Sequence, residues 1–247
     1  MGYEENKIEG RNAVLEAFRS GKTIDKLFVL DGCQDGPIKS ITREARKGDT
    51  IINYVSKERL DQISETGKHQ GVIAISAAYE YAEVEDIFAN AEQKGEAPFI
   101  IILDGIEDPH NLGAIIRTAN QAGAHGIIIP KRRAVGLTPT VARTSAGAIN
   151  YTPVAKVTNI TQTINELKEK GMWFVCADMD GTPMYDLNLT GSIGLVIGNE
   201  GDGVSKLVKE NCDMIATIPM KGDIDSLNAS VATGVLAYEI VRQRLGK

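Results

Sequence analysis

Phe99-Ile100-Ile101-Ile102-Leu103-Asp104-Gly105-Ile106-Glu107-Asp108-Pro109-His110-Asn111-Leu112-Gly113-Ala114-Ile115-Ile116-Arg117-Thr118 is the stretch on which the fold turns. It opens with five apolar residues and continues through a polar loop. It then enters a segment in which Asp108 or Asn111 can cap a helix and apolar residues recur at helical spacing. A short apolar strand, a loop and a capped helix form the repeating unit of a mainly parallel α/β sheet.

The same unit recurs downstream. Residues 126–129, 148–153, 173–177, 193–197 and 214–218 read as strands. Helices are expected at 112–122, 160–170, 205–211 and 227–245, which places helices on both faces of one sheet. Upstream, helices at 12–19, 38–47 and 57–63 alternate with strands at 26–30, 51–55 and 71–77, suggesting a separate small α/β sandwich. The expected division is residues 1–78, an acidic linker at 79–97 that includes a surface helix at 83–94, and a second domain at 98–247.

Bulk properties exclude several classes. The 247 residues suffice for one large or two small cores. No apolar run approaches the ~20 residues of a membrane span, so no membrane partner is expected. The N-terminal residues carry no signal pattern, and a cytoplasmic location follows as an expectation. Cys33, Cys176 and Cys212 lie singly, which speaks against a disulfide framework. His69, His110 and His125 are too dispersed for a sequence-visible metal site. The net charge of −6 is concentrated: residues 79–97 hold six acids against one lysine. RNA contact is therefore compatible with the charge, provided that it uses local basic clusters. Lys131-Arg132-Arg133 is one such cluster; it is either solvated surface or a phosphate contact.

Three polar constellations follow expected strands, where open α/β sheets place their ligands. In the first, Gly113 and Arg117 share a helix face, so a backbone or a substrate can approach closely beneath a guanidinium able to grip a phosphate. Read alone, this is equally a capped helix with one surface arginine. The second is Gly198-Asn199-Glu200-Gly201-Asp202-Gly203. Its GxxGxG pattern is neither a dinucleotide fingerprint nor a P-loop, which disfavours a nicotinamide-dependent dehydrogenase. It could be a simple turn, although a turn does not need Glu200 between its glycines. The third runs from Ile218-Pro219-Met220 to Ser226-Leu227-Asn228-Ala229-Ser230, with Ser226 a plausible helix cap and a small-residue run to Gly234. Read alone it is a capped helix docked on the sheet.

Together, in order and type, the three resemble the motifs of the SpoU/TrmH family of RNA ribose methyltransferases within the SPOUT superfamily. Asn111, Gly113, Arg117 and Thr118 match the first motif. Gly198, Glu200, Gly201 and Gly203 match the second, and Ile218, Pro219, Met220, Ser226, Leu227, Asn228 and Ser230 the third. The first domain, with residues 10–14 and 69–72, looks like the ribosomal-protein-L30e-like RNA-binding extension of the branch that methylates a guanosine of large-subunit (23S) rRNA.

The resemblance implies a SPOUT parallel sheet with a deep trefoil knot, a homodimer with its active site near the interface, and S-adenosylmethionine as cofactor. It places Gly198, Ile218 and Leu227 at the cofactor, and Arg117, Asn111, Glu200, Ser226 and Asn228 at the reaction. It also implies that Arg117 activates the hydroxyl. A guanidinium with a pKa above ~12 is a poor base, so the expectation here is that Arg117 grips an RNA phosphate and stabilises the forming alkoxide. The proton then goes to phosphate, to water or to a neighbour such as His110. A tRNA substrate, or a non-catalytic RNA-binding or assembly protein, are the alternatives.

Overall fold

The computed structural model describes residues 6–223 and 226–246. They form two compact units. One comprises residues up to Glu80 with Gly136–Thr140; the other comprises Tyr81–Val135 and the chain from Val141 onward.

The first unit holds β1 (Asn6–Glu9), α1 (Arg11–Arg19), β2 (Ile24–Leu30), α2 (Gly36–Lys47), β3 (Ile51–Val55), α3 (Lys57–Ile63) and β4 (Val72–Ser76). Its sheet has the order β1-β4-β2-β3, with β2 and β3 parallel and the other pairs antiparallel. Period-two alternation divides the core in two. Val72 and Ala74 pack with Val14, Leu27, Ile38 and Ile41, whereas Ile73 and Ile75 pack with Leu60. This is the expected sandwich, with one strand added. Asn6-Lys7-Ile8-Glu9 is short and polar, so its pairing with β4 has no local hydrophobic signature.

The second unit holds α4 (Val84–Lys94), β5 (Phe99–Asp104), α5 (Pro109–Gln121), β6 (Gly126–Pro130), α6 (Pro139–Thr144, entering from the first unit), β7 (Val154–Val157), α7 (Ile160–Glu169), β8 (Trp173–Pro183), β9 (Ile193–Gly198), α8 (Lys206–Glu210), β10 (Met214–Thr217) and α9 (Ala229–Arg244). Its six-stranded sheet is parallel throughout, in the order β10-β8-β9-β5-β6-β7. Phe99 to Leu103 are at most 1% exposed, as a central parallel strand covered on both faces requires. The chain moves outward from β5 to β7, crosses back to β8, and then inserts β9 beside β5. The carboxyl ends of β5 and β9 therefore flank the point where the strand order reverses, Asp104 lying level with Gly198.

One expectation needs correction, and two further features have no counterpart in the sequence reading. Residues 148–153 are not a strand: Gly147 takes a left-handed conformation (φ 87°), Ala148–Asn150 form a 3-10 turn, and the strand begins after Pro153. The helix expected within 79–97 is present as α4, and one of its faces is buried. Val84, Ile87, Phe88 and Ala91 recur at helical spacing, and Ile87 is fully buried against Ile100, Ile102 and Ile128. The acidic residues occupy the outer face of α4. Finally, Gly136–Thr140 returns to the first unit, where the Ala78 amide donates to the Leu137 carbonyl at 2.7 Å.

Candidate active site

All three constellations converge at the carboxyl edge of this sheet. The first enters through α5. Asp108 caps it, accepting from the His110 amide at 2.8 Å, with Pro109 at the first helical position. Asn111 therefore lies inside the helix, in its first turn and 8% exposed, and is not the cap.

Gly113 meets the first of its two expected uses, the close approach of a neighbouring backbone. A Cβ there would lie 2.7 Å from the Thr144 Cβ and 2.9 Å from the Val141 carbonyl oxygen. What approaches Gly113 is the α6 segment, not a substrate. Gly198 is constrained in a similar way: a Cβ would overlap the Gly203 carbonyl group. The loop folds back because Asn199 Oδ1 accepts from the Gly201 and Asp202 amides at 2.8 and 2.7 Å, while Gly203 takes φ 68°. Asp104, at the end of β5, accepts from the Ser205 amide at 2.8 Å and fixes the far end of the loop.

The loop carries Glu200 to the other two constellations. The Asn111 side-chain amide donates to Glu200 Oε1. Asn228 Nδ2 donates to the same oxygen at 3.2 Å and to Asn111 Oδ1 at 3.0 Å. Asn228, not Ser226, is the cap of α9: its Oδ1 accepts from the Ser230 amide and hydroxyl at 3.0 and 2.6 Å. One asparagine thus starts the last helix with its oxygen and ties the other two constellations together with its amide.

Beside this cluster lies a cleft of about 630 Å³. Gly198, Ile218, Leu227, Ser226 and Glu200, five of the eight residues singled out from the sequence, line it. Backbone-rich turns, small apolar side chains such as Ala216 and Ala229, and the carboxylates of Asp178 and Asp202 complete the wall. Asp178 was not foreseen. Partial burial opposes its ionisation, but Lys209 at 2.8 Å outweighs burial and holds its pKa below the usual carboxylate value. No local pattern around Asp178 reveals this pairing, because its partner lies 31 positions away.

Arg117 is the exception. It is exposed on α5 and borders a separate hollow with Asn120, Ser145 and Tyr151, outside the cleft of its own chain. Arg132 and Arg133 line a further cleft of about 1040 Å³, which shares the wall from Asn199 to Gly203.

A parallel α/β sheet with strand-end loops drawn around a cleft that joins backbone turns to a few carboxylates defines a small-ligand-binding protein of the open-sheet class. The chain belongs to the SpoU/TrmH family of RNA methyltransferases. Residues 98–238 match the SpoU rRNA Methylase family, and residues 7–82 match the family described as RNA 2′-O ribose methyltransferase substrate binding. The chain is 49% identical over 246 residues to YacO of Bacillus subtilis (strain 168), assigned to the TrmH family of tRNA/rRNA methyltransferases; the match covers 99% of this chain and 98% of that one. A relative from Staphylococcus aureus (strain MW2), assigned to the same family, is 43% identical over 98% of this chain and 97% of its own. Among solved structures, the SpoU methyltransferase AviRb from Streptomyces viridochromogenes, crystallised with AdoMet, aligns with a TM-score of 0.62. The alignment covers 99% of this chain and 92% of that one at 24% identity, a likeness of fold.

Proposed function

We propose that this chain transfers the methyl group of S-adenosylmethionine to a ribose 2′-hydroxyl of RNA, and that the nucleoside is a guanosine of 23S rRNA. The observation that carries the proposal is the Asn111–Glu200–Asn228 cluster beside the cleft, because it joins all three constellations at one place. The cleft fits the cofactor in size and kind. At about 630 Å³ it falls within the range of small-ligand pockets, and it offers apolar side chains for a nucleoside and carboxylates for a cation. Gly198, Ile218 and Leu227 would hold S-adenosylmethionine, largely through backbone groups and apolar contact. The cofactor supplies a methyl group on a positively charged sulfonium.

The chain's own residues must bring the 2′-oxygen into line and stabilise its developing charge. Glu200 is fixed by two amide donors, so its outer oxygen has a defined direction. Ser226, at the mouth of the cleft, would orient the ribose. Arg117 would grip the phosphate and steady the forming alkoxide. Because it lies outside its own chain's cleft, this role requires a homodimer in which one copy's Arg117 serves the other's cleft. Exposed Val231 and Tyr238 on α9 and Leu245 at its C-cap, at seven-residue intervals, with exposed Tyr151 a few residues after α6, support such a pairing. The expected trefoil knot belongs to the same proposal. It is supported by the insertion of β9 between β8 and β5 and by the return of the chain from edge strand β10 to pack α9 on α5.

rRNA is preferred to tRNA because a whole unit of the chain matches a substrate-binding family, which suits a large RNA. A non-catalytic assembly role is disfavoured by the complete polar set. Mapping 2′-O-methyl sites in RNA from cells lacking the protein tests the proposal. A single 23S guanosine should lose its methyl group; loss confined to tRNA would overturn the rRNA assignment.

A further inference from the structure

Opposite the buried stripe of α2, the first unit presents a basic face. Lys39, Arg43, Arg46 and Lys47 are all exposed and fall within about 100° of the helix circumference, while Ile38, Ile41 and Ala45 face the core. Glu44 on the flank draws Lys47 to 2.9 Å and Arg43 to 3.6 Å, yet their side chains stay 65% and 70% exposed.

Beside this face lies Tyr54 of β3, an edge strand. Two residues earlier Ile52 packs into the core shared with α2, so Tyr54 projects on the α2 side of the sheet. It remains 52% exposed, so about half of its surface stays open to a ligand. Together the four cations and the ring line a groove of about 890 Å³, floored by Ile38 and Thr42 and ending at the Gly32-Cys33-Gln34 turn; Asp31 is its single carboxylate. In a chain of net charge −6, this is a concentrated positive site.

We infer that this groove binds single-stranded RNA, with backbone phosphates along Lys39, Arg43 and Arg46 and one base stacked on Tyr54. The inference rests on the RNA-methyltransferase reading and gives it a docking surface remote in sequence from the chemistry. Cations in a row supply sequence-independent phosphate affinity, whereas an exposed ring on a rigid strand supplies a stacking platform that a duplex cannot use. A purely solvated helix face needs no aromatic residue beside it.

The test is fluorescence anisotropy on the full chain with a labelled, mixed-sequence single-stranded RNA of about twelve nucleotides and with the matched duplex. Tyr54→Ala should weaken single-strand binding about fivefold or more, and Tyr54→Phe should restore it. The double variant Arg43→Ala/Arg46→Ala should weaken binding and lower the salt slope by about 1.4, at about 0.7 per lost phosphate contact. Both variants should bind S-adenosylmethionine as the parent does. Variants that bind RNA within about twofold of the parent, while the parent still methylates rRNA, overturn the groove and leave the proposed function standing. Loss on Arg43→Ala/Arg46→Ala with no effect of Tyr54→Ala also overturns it, in favour of a general polyanion face. If the groove variants behave as stated but the parent methylates no RNA, the groove is supported and the proposed function fails.

Discussion

The side-chain amide of Asn228 donates to Asn111 Oδ1 at 3.0 Å across 117 positions of sequence, and the same nitrogen reaches Glu200 Oε1. The first turn of α5 and the cap of α9 are thereby tied by neutral donors to one carboxylate oxygen of the Gly198–Gly203 loop. Because Asn228 also caps α9, its two functions can be separated. Asn228→Asp keeps the capping oxygen and removes the donor. It should unfold within a few degrees of the parent yet lose about 100-fold in single-turnover rate, the scale of an ångström-sized misplacement. Asn228→Ala should lose both, with about 1 kcal/mol of stability from the missing cap. Thermal melts beside rapid-quench methyl transfer check this; equal rates for parent and Asn228→Asp would remove the cluster from the chemistry.

The two sterically constrained glycines should respond differently. Gly198→Ala forces the Gly203 carbonyl away and opens the loop that walls the cleft. S-adenosylmethionine affinity, measured by calorimetry, should fall about tenfold or more, at about 1.4 kcal/mol per factor of ten. Gly113→Ala instead pushes α5 from α6. It should cost about 1–3 kcal/mol in denaturant unfolding, as overpacking does, with a smaller effect on cofactor affinity in the surviving folded fraction.

Much of this was legible in the sequence. β5, β6, β9 and α5 follow from apolar runs and an Asp-Pro cap, and the polar members of the cluster stand out in the sequence by residue type and motif. Three things were not legible. Ser226 and Asn228 are equally good caps by residue type, and only the position of the amide at Glu200 decides for Asn228. α4 is legible as a surface helix but its buried face is not, because six acids in a short segment obscure four apolar residues at helical spacing. Gly113 admits a backbone or a substrate by residue type, and a glycine on a helix face does not reveal which of the two fills the space.

Arg117→Lys separates a phosphate grip from a simple positive charge. A lysine keeps the charge and loses the planar fork. The single-turnover rate should fall about 10- to 100-fold, as for the loss of one charge-assisted hydrogen bond, with S-adenosylmethionine affinity unchanged. A rate equal to the parent's would show that bidentate geometry is unnecessary.

Glu9 predicts a pH dependence in the first unit. Partial burial opposes its ionisation, but the Ser64 and Thr66 hydroxyls at 2.6 and 2.5 Å and the Glu65 amide outweigh burial and lower its pKa to about 2. A carboxyl with a depressed folded-state pKa stabilises fully above its unfolded value of 4.5, and this contribution is lost as pH falls toward 2. Glu9→Gln should therefore cost about 1–2 kcal/mol at pH 7 and progressively less in acid. Urea unfolding at several pH values checks the convergence. His125 acts in a higher window. Burial depresses its pKa below 6.5 despite Glu96 at 3.1 Å, so the unfolded chain takes up its proton first. Stability should fall as pH drops below about 6.5 and level off beneath the folded-state value, and His125→Phe should abolish that slope.

The central claim is that the clustered strand-end loops methylate a ribose oxygen. Its most direct measurement is the identity of the product nucleoside. Purified chain, methyl-labelled S-adenosylmethionine and unmodified 23S rRNA are incubated, the RNA is digested to nucleosides, and the label is assigned by mass spectrometry. Label is expected in 2′-O-methylguanosine, strongly reduced with Glu200→Gln. Label on a base, or no label in RNA while S-adenosylmethionine binds, would contradict it.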